Sequence, residues 1–499
     1  MSLKDLTDSF WELDFQLPRF QKLNQNLKTE ICVVGGGIAG LSIAYQMAKR
    51  GHKVTLVEGF RLLSGQTGRT TAHLSHQLER LFTDLIRWQD KENLKDLVHA
   101  HVTAIDTIEH IIETENIDCE FERVNGYLFS NDRKAKEILL HEQKTASECG
   151  LNLEFISETP VLKNKKPSLL FKDQAQFHPI RYCWGLMSSL TDLGVEIYEG
   201  TYINDITNLS PDISILKTAD ENVIEAKFVV LATHTPINKK LSVHFKQIPL
   251  RTYAMAFETD GIFEDFSLLW DTEKPYHYVR FERNLLIVGG EDHRVGDHPI
   301  KDPFLQLETW ARQNFDFIGN IKNKWSGQIL ESLDHIPFIG YAPGENKNIF
   351  IISGEAGQGM TYATIASILI PELIEKKEHP WESILNPMRK LKMSNAEFVK
   401  DSIATLIHYK DWITPSEVKV EELTPQNAGC LLREGLKKKC VYHDKDDHFE
   451  KTSAICSHLG GIVHWNDIEK TWDCPMHGSR YDVHGHVLEG PAISNLADS

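Results

Sequence analysis

Two Cys-His pairs, Cys456-x-His458 and Cys474-x-x-His477, constrain the fold of this chain more tightly than any other feature. Each pair puts one thiol and one imidazole on a short loop, and the four groups act together only where the loops meet. Two thiolates can hold one iron of a [2Fe–2S] cluster while two imidazoles hold the other. A Cys2His2 zinc site is the competing reading, but zinc sites usually take their ligands as C-x2–4-C and H-x3–5-H pairs. Here each loop supplies one of each. The surrounding residues 417–499 carry short strand-like runs and turn residues, the pattern of a small all-β module. His464, His484 and His486 in the same stretch read as surface histidines, because the two loops already supply four ligands.

At 499 residues the chain exceeds what one core supports, so two or three domains are expected. Residues 30–58 read as a βαβ opening. Ile31-Cys32-Val33-Val34 is a short buried run, residues 38–50 have helical apolar spacing, Gly51 ends the helix, and residues 53–58 form a second strand. Between the first strand and the helix stands Gly35-Gly36-Gly37-Ile38-Ala39-Gly40. In such a motif the first glycine allows the tight turn, Gly37 lets the backbone approach a pyrophosphate, and Gly40 lets helix and strand pack closely. The helix N-terminus at Ile38 and Ala39 favours phosphate charge. Glu58 ends the second strand, where a carboxylate accepts hydrogen bonds from a ribose and repels a 2′-phosphate. Further strands are expected at residues 195–206, 223–232, 285–289 and 349–353, with a helix at 361–375. A charged, mostly helical region covers about 75–170, and a polar, helical connector runs from 380 to 414. Residues 31–47 and 349–374 are apolar, but clustered glycines interrupt both, so no membrane span is expected.

Several other segments carry a likeness to known proteins. They are Ser64-Gly65-Gln66-Thr67-Gly68-Arg69-Thr70-Thr71, Gly194-Val195-Glu196-Ile197 leading to Ile203, and Val229-Val230-Leu231-Ala232-Thr233. Asp334-His335-Ile336-Pro337-Phe338-Ile339-Gly340 follows, then Phe350-Ile351-Ile352-Ser353-Gly354 and Gly357-Gln358-Gly359-Met360-Thr361. With these the chain resembles the D-amino-acid oxidase / glycine oxidase / sarcosine oxidase family of flavoproteins over roughly residues 9–380. The resemblance implies FAD as cofactor, in an α/β Rossmann-like FAD-binding domain with an inserted α+β substrate domain. It places Thr67, Gly68, Arg69, Thr70 and Thr71 at the FAD phosphates and ribityl chain, and Ile203 at the adenine. Gly354, Gly357, Gly359, Met360 and Thr361 would bring N–H groups and a positive helix end to the flavin, stabilising its reduced form. No cysteine stands near these segments, so FAD is expected to be bound non-covalently. The expected domains are 1–380 (flavin), 381–416 (connector) and 417–499 (cluster).

The likeness breaks at one position. Amino-acid oxidases of this family place an Arg before the Pro-x-Ile-Gly segment, where it clamps the substrate carboxylate. This chain has Trp325-Ser326-Gly327-Gln328-Ile329-Leu330, with Gln328 and Ile329 near that position. Gln can hydrogen-bond a carboxylate but cannot neutralise it, which argues against an α-amino-acid substrate; Arg251 or Arg280 could substitute. Tyr253, His277, Tyr278 and Arg280 lie where the family covers the flavin, so with Gln328 they are the candidate catalytic residues. An ordinary sheet position is the commoner role for such side chains.

The C-terminal module carries Gly478-Ser479-Arg480-Tyr481-Asp482 and Gly490-Pro491 beside its Cys-His loops. It resembles a Rieske iron–sulfur domain, which implies Cys456, His458, Cys474 and His477 as the cluster ligands. Ser479 and Tyr481 stand where high-potential Rieske proteins hydrogen-bond the cluster and cysteine sulfurs. The resemblance thus implies a potential in the upper part of the range from about −150 to +300 mV. Gly461 and Met476 stand where those proteins have a disulfide between the loops, and its absence suits a reducing compartment. The six other cysteines are scattered and read as free thiols, and no basic segment followed by an apolar run opens the chain. The expectation is therefore cytoplasmic. A net charge of −17 argues against nucleic-acid or anionic-membrane binding driven by charge.

Together these features point to an FAD-dependent oxidoreductase that passes electrons between a small, amine-type substrate and the cluster, with an unidentified external electron donor or acceptor. Two alternatives stand beside it. One is a flavin amine oxidase that uses dioxygen and keeps a structural cluster; the other is a redox-sensing binding protein.

Overall fold

A computed structural model describes residues 9–12, 17–237, 243–261, 267–297, 302–391, 411–412, 414–415, 428–435, 437–444, 446 and 449–497. The opening unit forms as the sequence implies, with strand Leu27–Val34, helix Ile38–Lys49 and strand Val54–Val57. Both strands are buried apolar runs flanked by other strands, which is why they read as continuous rather than alternating. The first sheet runs in the order Phe338–Tyr341, Ile349–Ser353, Val223–Leu231, Leu27–Val34, Val54–Val57, Glu196–Tyr198. Its central pairings are parallel, with Val33 opposite Leu56 on one side and Val230 on the other. Helices Ile38–Lys49 and Gly359–Ile374 pack on each other over this sheet, burying Leu41, Met47, Ile365 and Leu369.

A second, nine-stranded sheet is mostly antiparallel. It runs Ile318–Ser332, Gln247–Thr259, Leu285–Arg294, Tyr278–Glu282, Ser267–Asp271, Glu122–Phe129, Ser168–Gln176, His73–Leu74, with Glu154–Ile156 beside Ser168–Gln176. Two of these strands correct the expectation of a helical region at 75–170. Helices Lys91–Glu115 and Ala135–Glu148 do form there, but Glu122–Phe129 and Ser168–Gln176 are paired strands. Charge hides the first of them: Arg123 reaches out to Glu109 and Asp106, while Val124 and Leu128 turn inward. The single strand expected at 195–206 is two, Glu196–Tyr198 and Ile203–Ser210. Gly200, at φ +58, turns the chain between them.

The C-terminal module is all-β. A three-stranded sheet, Ala428–Glu434, Lys437–His443 and Phe449–Ser453, accompanies a four-stranded one, His464–Asn466, Thr471–Asp473, Arg480–Tyr481 and Val487–Glu489. The connector expected at 381–416 lies largely outside the described residues. Its start holds a short helix, Glu382–Leu385, and Arg389, which grips Asp334 at 2.6 Å. Among the described residues no helix is long and apolar enough to cross a membrane.

Candidate active site and metal centre

The glycine turn is built for close approach. Gly35 has φ +114, and a Cβ there would lie 2.2 Å from the Ala232 carbonyl oxygen. A Cβ on Gly40 would lie 1.9 Å from the Gly35 oxygen, so helix and turn meet as the motif requires. The Ile38 N–H donates to Thr67 Oγ1 (3.0 Å), tying the helix start to the 64–71 loop. Glu58 accepts from the Gly36 and Phe60 N–H groups at 2.7 and 2.8 Å. Burial pushes its carboxyl up, against those hydrogen bonds.

These residues open on a cavity of about 650 Å³. Gly35, Gly37, Ile38, Ala39, Glu58, Thr67, Arg69, Thr70, Thr71 and Ile203 line it from one side, and Gly357, Gly359 and Met360 from another. Gly40, Gly68, Gly354 and Thr361 stand behind that wall. Gly68 packs on Glu12, and the buried Thr361 Oγ1 has no hydrogen-bond partner. Cavity, close-approach glycines and ribose-side carboxylate fit a dinucleotide such as FAD.

The candidate catalytic residues separate. Tyr278 lines the cavity, its hydroxyl 2.7 Å from Thr252 Oγ1. Tyr253, His277 and Arg280 do not line it. Tyr253 is buried, stacked on His293 at 5.5 Å. His277 bonds Asp271 (3.0 Å) and Glu291 (3.3 Å) and stacks on Trp310 at 4.3 Å. Burial opposes its protonation, but those two carboxylates win and raise its pKa to about 9. Arg280 donates to the carbonyls of Thr71, Ala72 and Phe177, pairs with Glu282, and so braces the flavin-side loop from behind.

The sequence reading missed the carboxyl groups of the cavity, which belong to no motif. Glu79 accepts from the Tyr276 hydroxyl at 2.8 Å while its Oε2 is buried without a partner. Burial, then the charge of Glu331, push Glu79 up to about 8. Burial likewise lifts Asp292 to about 6 and Glu355 to about 7. Glu331 differs: burial opposes ionisation, but hydrogen bonds from His335 and Arg80 bring it down to about 2.

The cluster loops close on one another. The Cys456 N–H donates to the Gly461 carbonyl (2.8 Å) and the Cys474 N–H to that of Ser479 (2.8 Å). The two thiols share a hydrogen bond, which, with hydrogen bonds from Tyr481 and the His458 N–H, holds the Cys456 thiol low against burial. Tyr481 donates to Cys456 Sγ at 3.2 Å, and Ser479 Oγ accepts from the Ala492 N–H at 3.0 Å. The His458 and His477 rings lie 5.1 Å apart at 83°. Both nitrogens of His458 and Nε2 of His477 are buried without a hydrogen-bond partner. Two sulfurs together and two unpartnered imidazoles together fit a [2Fe–2S] centre with a thiolate-held and an imidazole-held iron. Gly461 and Met476 do face each other, since a Cβ on Gly461 would lie 2.6 Å from Met476 Sδ. All eight cysteines are free thiols. His464 bonds Asp411 at 3.0 Å, and His484 and His486 are exposed.

The two sites adjoin. Arg251 donates to Glu469 through Nε (2.7 Å) and Nη2 (2.9 Å), with both side chains almost wholly buried. Arg480 joins Glu469 (2.9 Å), Asp473 (3.0 Å) and Glu489 (3.3 Å). Gln328, its amide turned so that the nitrogen meets acceptors, donates to the Gly478 carbonyl (2.8 Å) and to Glu489 Oε2 (3.3 Å). His244 lies 4.9 Å from the His458 ring and 5.1 Å from that of His477. Leu488, Glu489 and Gly490 form part of the cavity wall. Arg251 and Gln328, both weighed as carboxylate binders, are thus engaged with the C-terminal module.

Residues 30–373 match the family model for FAD dependent oxidoreductases, DAO. The chain belongs to this family. Residues 418–498 match the Rieske [2Fe-2S] domain, so the DAO-type oxidoreductase carries a Rieske domain. FAD and a Rieske cluster are its cofactors. The Rieske 2Fe-2S iron-sulfur protein YhfW of Bacillus subtilis is 29% identical over 99% of this chain and 97% of its own. Gamma-glutamylputrescine oxidoreductase of Escherichia coli is 22% identical over 74% of this chain and 88% of its own. Among solved structures, glycine oxidase from Geobacillus kaustophilus superposes with a TM-score of 0.62 at 17% identity, over 73% of this chain and all of that one. This likeness concerns the fold.

Proposed function

We propose that this DAO-family enzyme oxidises a small amine at FAD and exchanges the resulting electrons with its own Rieske cluster. One observation carries the reading: Leu488–Gly490 of the Rieske domain line the flavin cavity, so the two redox sites share a wall. Bound FAD supplies the two-electron acceptor, and the Rieske cluster handles electrons singly. Fusion in one chain keeps the two at high effective concentration.

An amine, rather than an amino acid, is supported by the missing clamp and by two under-partnered carboxyl groups of the cavity. No Arg occupies the Gln328–Ile329 position, and Arg251 is committed to Glu469. Glu79 and Asp292 each keep one buried oxygen without a hydrogen-bond partner, which suits a cationic ligand. A bound ammonium would draw the Glu79 carboxyl, raised to about 8 by burial, toward its ionised form, in which Oε2 can take the proton the substrate must lose before oxidation. The name of the Escherichia coli relative, a gamma-glutamylputrescine oxidoreductase, agrees with an amine-bearing substrate. The catalytic side chains we assign to this reading are Glu79 and Tyr278. The FAD contacts are the cavity-lining residues of the glycine turn, the 64–71 loop and the 357–361 stretch, and the cluster ligands are Cys456, His458, Cys474 and His477. Free thiols suit a reducing, cytoplasmic setting. An external one-electron donor or acceptor completes turnover.

The test is anaerobic addition of a panel of amines, amino acids and imines to holoprotein, followed by flavin absorbance and cluster electron paramagnetic resonance. An amine should bleach the flavin and then reduce the cluster. Flavin bleaching with a persistently oxidised cluster, or stoichiometric peroxide from Cys456→Ser in air, would sink the reading.

A further inference from the structure

The shared wall raises the question of which residue couples the two centres. We propose that Gln328 is the bridge: its side chain joins the cluster loop to the flavin cavity through one hydrogen bond and carries the electron route between them. This rests on the reading that electrons pass between FAD and the cluster.

The geometry is specific. Gly478 directly follows the ligand His477, and its carbonyl accepts from the Gln328 amide at 2.8 Å. The approach is so close that a Cβ on Gly478 would lie 2.3 Å from that amide, and Gly478 has φ +81. A side chain there is excluded on both counts. Gln328 is almost fully buried yet lines the cavity. Its own N–H donates to Gln66 Oε1 at 2.6 Å, and Gln66 belongs to the 64–71 loop that lines the cavity. The route is therefore one residue from the ligand, one hydrogen bond, and a side chain on the cavity wall. The competing route, through His244, begins with a ring contact of 5.1 Å to His477. It then needs three residues of main chain and the Gln247–Ser353 hydrogen bond of 2.8 Å to reach the 354–361 stretch. A bonded path with fewer steps couples more strongly. The position that amino-acid oxidases give to a carboxylate clamp is here given to the cluster loop.

In the step concerned, one electron leaves the reduced flavin, one ferric iron of the cluster becomes ferrous, and the flavin's accompanying proton goes to solvent. The experiment uses full-length holoprotein under anaerobic conditions, with the flavin photoreduced by a deazaflavin and light at the expense of EDTA as sacrificial electron donor, so that no substrate is needed. Freeze-quench paramagnetic resonance then times cluster reduction. Gln328→Leu should slow it about 10–100-fold, the usual effect of losing an outer-shell partner of a metal site, with unchanged resonance line positions and midpoint potential. His244→Phe should leave it at the wild-type rate. Transfer at the wild-type rate in Gln328→Leu, slowing in His244→Phe instead, or a shifted cluster potential that accounts for the lost rate would each overturn the assignment. If Gln328→Leu loses either cofactor, Gln328→Met keeps the length of the side chain without its hydrogen bond to the Gly478 carbonyl, and a wild-type rate there overturns it equally. Wild-type protein that fails to reduce its cluster would instead bring down the flavin–cluster reading itself.

Discussion

Arg251→Met should detach the Rieske domain energetically while leaving each domain's core intact. In the wild type two guanidiniums, Arg251 and Arg480, serve three buried carboxylates, Glu469, Asp473 and Glu489. Without Arg251, one guanidinium faces all three. Breaking a buried pair from one side costs about 3–5 kcal/mol, against about 0–1 for an exposed pair. The expected loss is therefore about 3–5 kcal/mol in the transition that undocks or unfolds the Rieske domain. Urea unfolding of holoprotein would be followed separately by cluster circular dichroism and flavin fluorescence, since two domains need not unfold together. The double variant Arg251→Met/Glu469→Gln removes the stranded charge and should recover much of the loss. The pH dependence has a definite sign. Burial opposes ionisation of Glu469, but Arg251 and Arg480 outweigh it and hold its carboxyl far below its ordinary value of 4.5. A depressed carboxyl stabilises the fold above its unfolded pKa and loses that contribution as pH falls through the folded one. The wild type's advantage over Arg251→Met should thus be complete at neutral pH and shrink below about pH 4.5. A loss under about 1 kcal/mol, or no recovery in the double variant, would refute the clamp.

Gly35→Ala places a Cβ 2.2 Å from the Ala232 oxygen at φ +114 and should give protein that retains its cluster but elutes from gel filtration without flavin absorbance. Gly461→Cys/Met476→Cys should form a disulfide in air, detectable by non-reducing mass spectrometry. A loop of that length should stabilise cluster-free protein by about 3 kcal/mol, and persistent free thiols would contradict the facing geometry. Glu79, raised from 4.5 to about 8, binds its proton more tightly in the folded state, so flavin-free protein should lose stability as pH climbs through that window. Glu79→Gln should flatten the fall, and a curve matching the wild type would remove Glu79 from the account.

What could be read from the sequence followed from short-range rules. The βαβ opening is legible because Gly35, Gly37 and Gly40 act within a few residues of the strand and helix they join. The proposed cluster ligands stand out because each Cys-His pair sits on one loop. The strand Glu122–Phe129 was not, since its charged first residues find partners on a preceding helix. Glu79, Tyr276 and Asp292 meet only after the second sheet has formed, and nothing local marks them. Gln328 stands out in the sequence because it lies near the position of the family's clamp, and Arg251 as a substitute for it. Their engagement with Glu469 and Gly478, more than a hundred positions along the chain, required the docked domains.

The wall formed by Leu488, Glu489 and Gly490 also sets an order of assembly. These residues follow the entire flavin domain in the chain, and domains fold from the N-terminal side as they are synthesised. The flavin domain therefore emerges before three residues of its cavity wall have been made. Docking of the Rieske domain adds them, so the last-made part of the chain completes the first-made site.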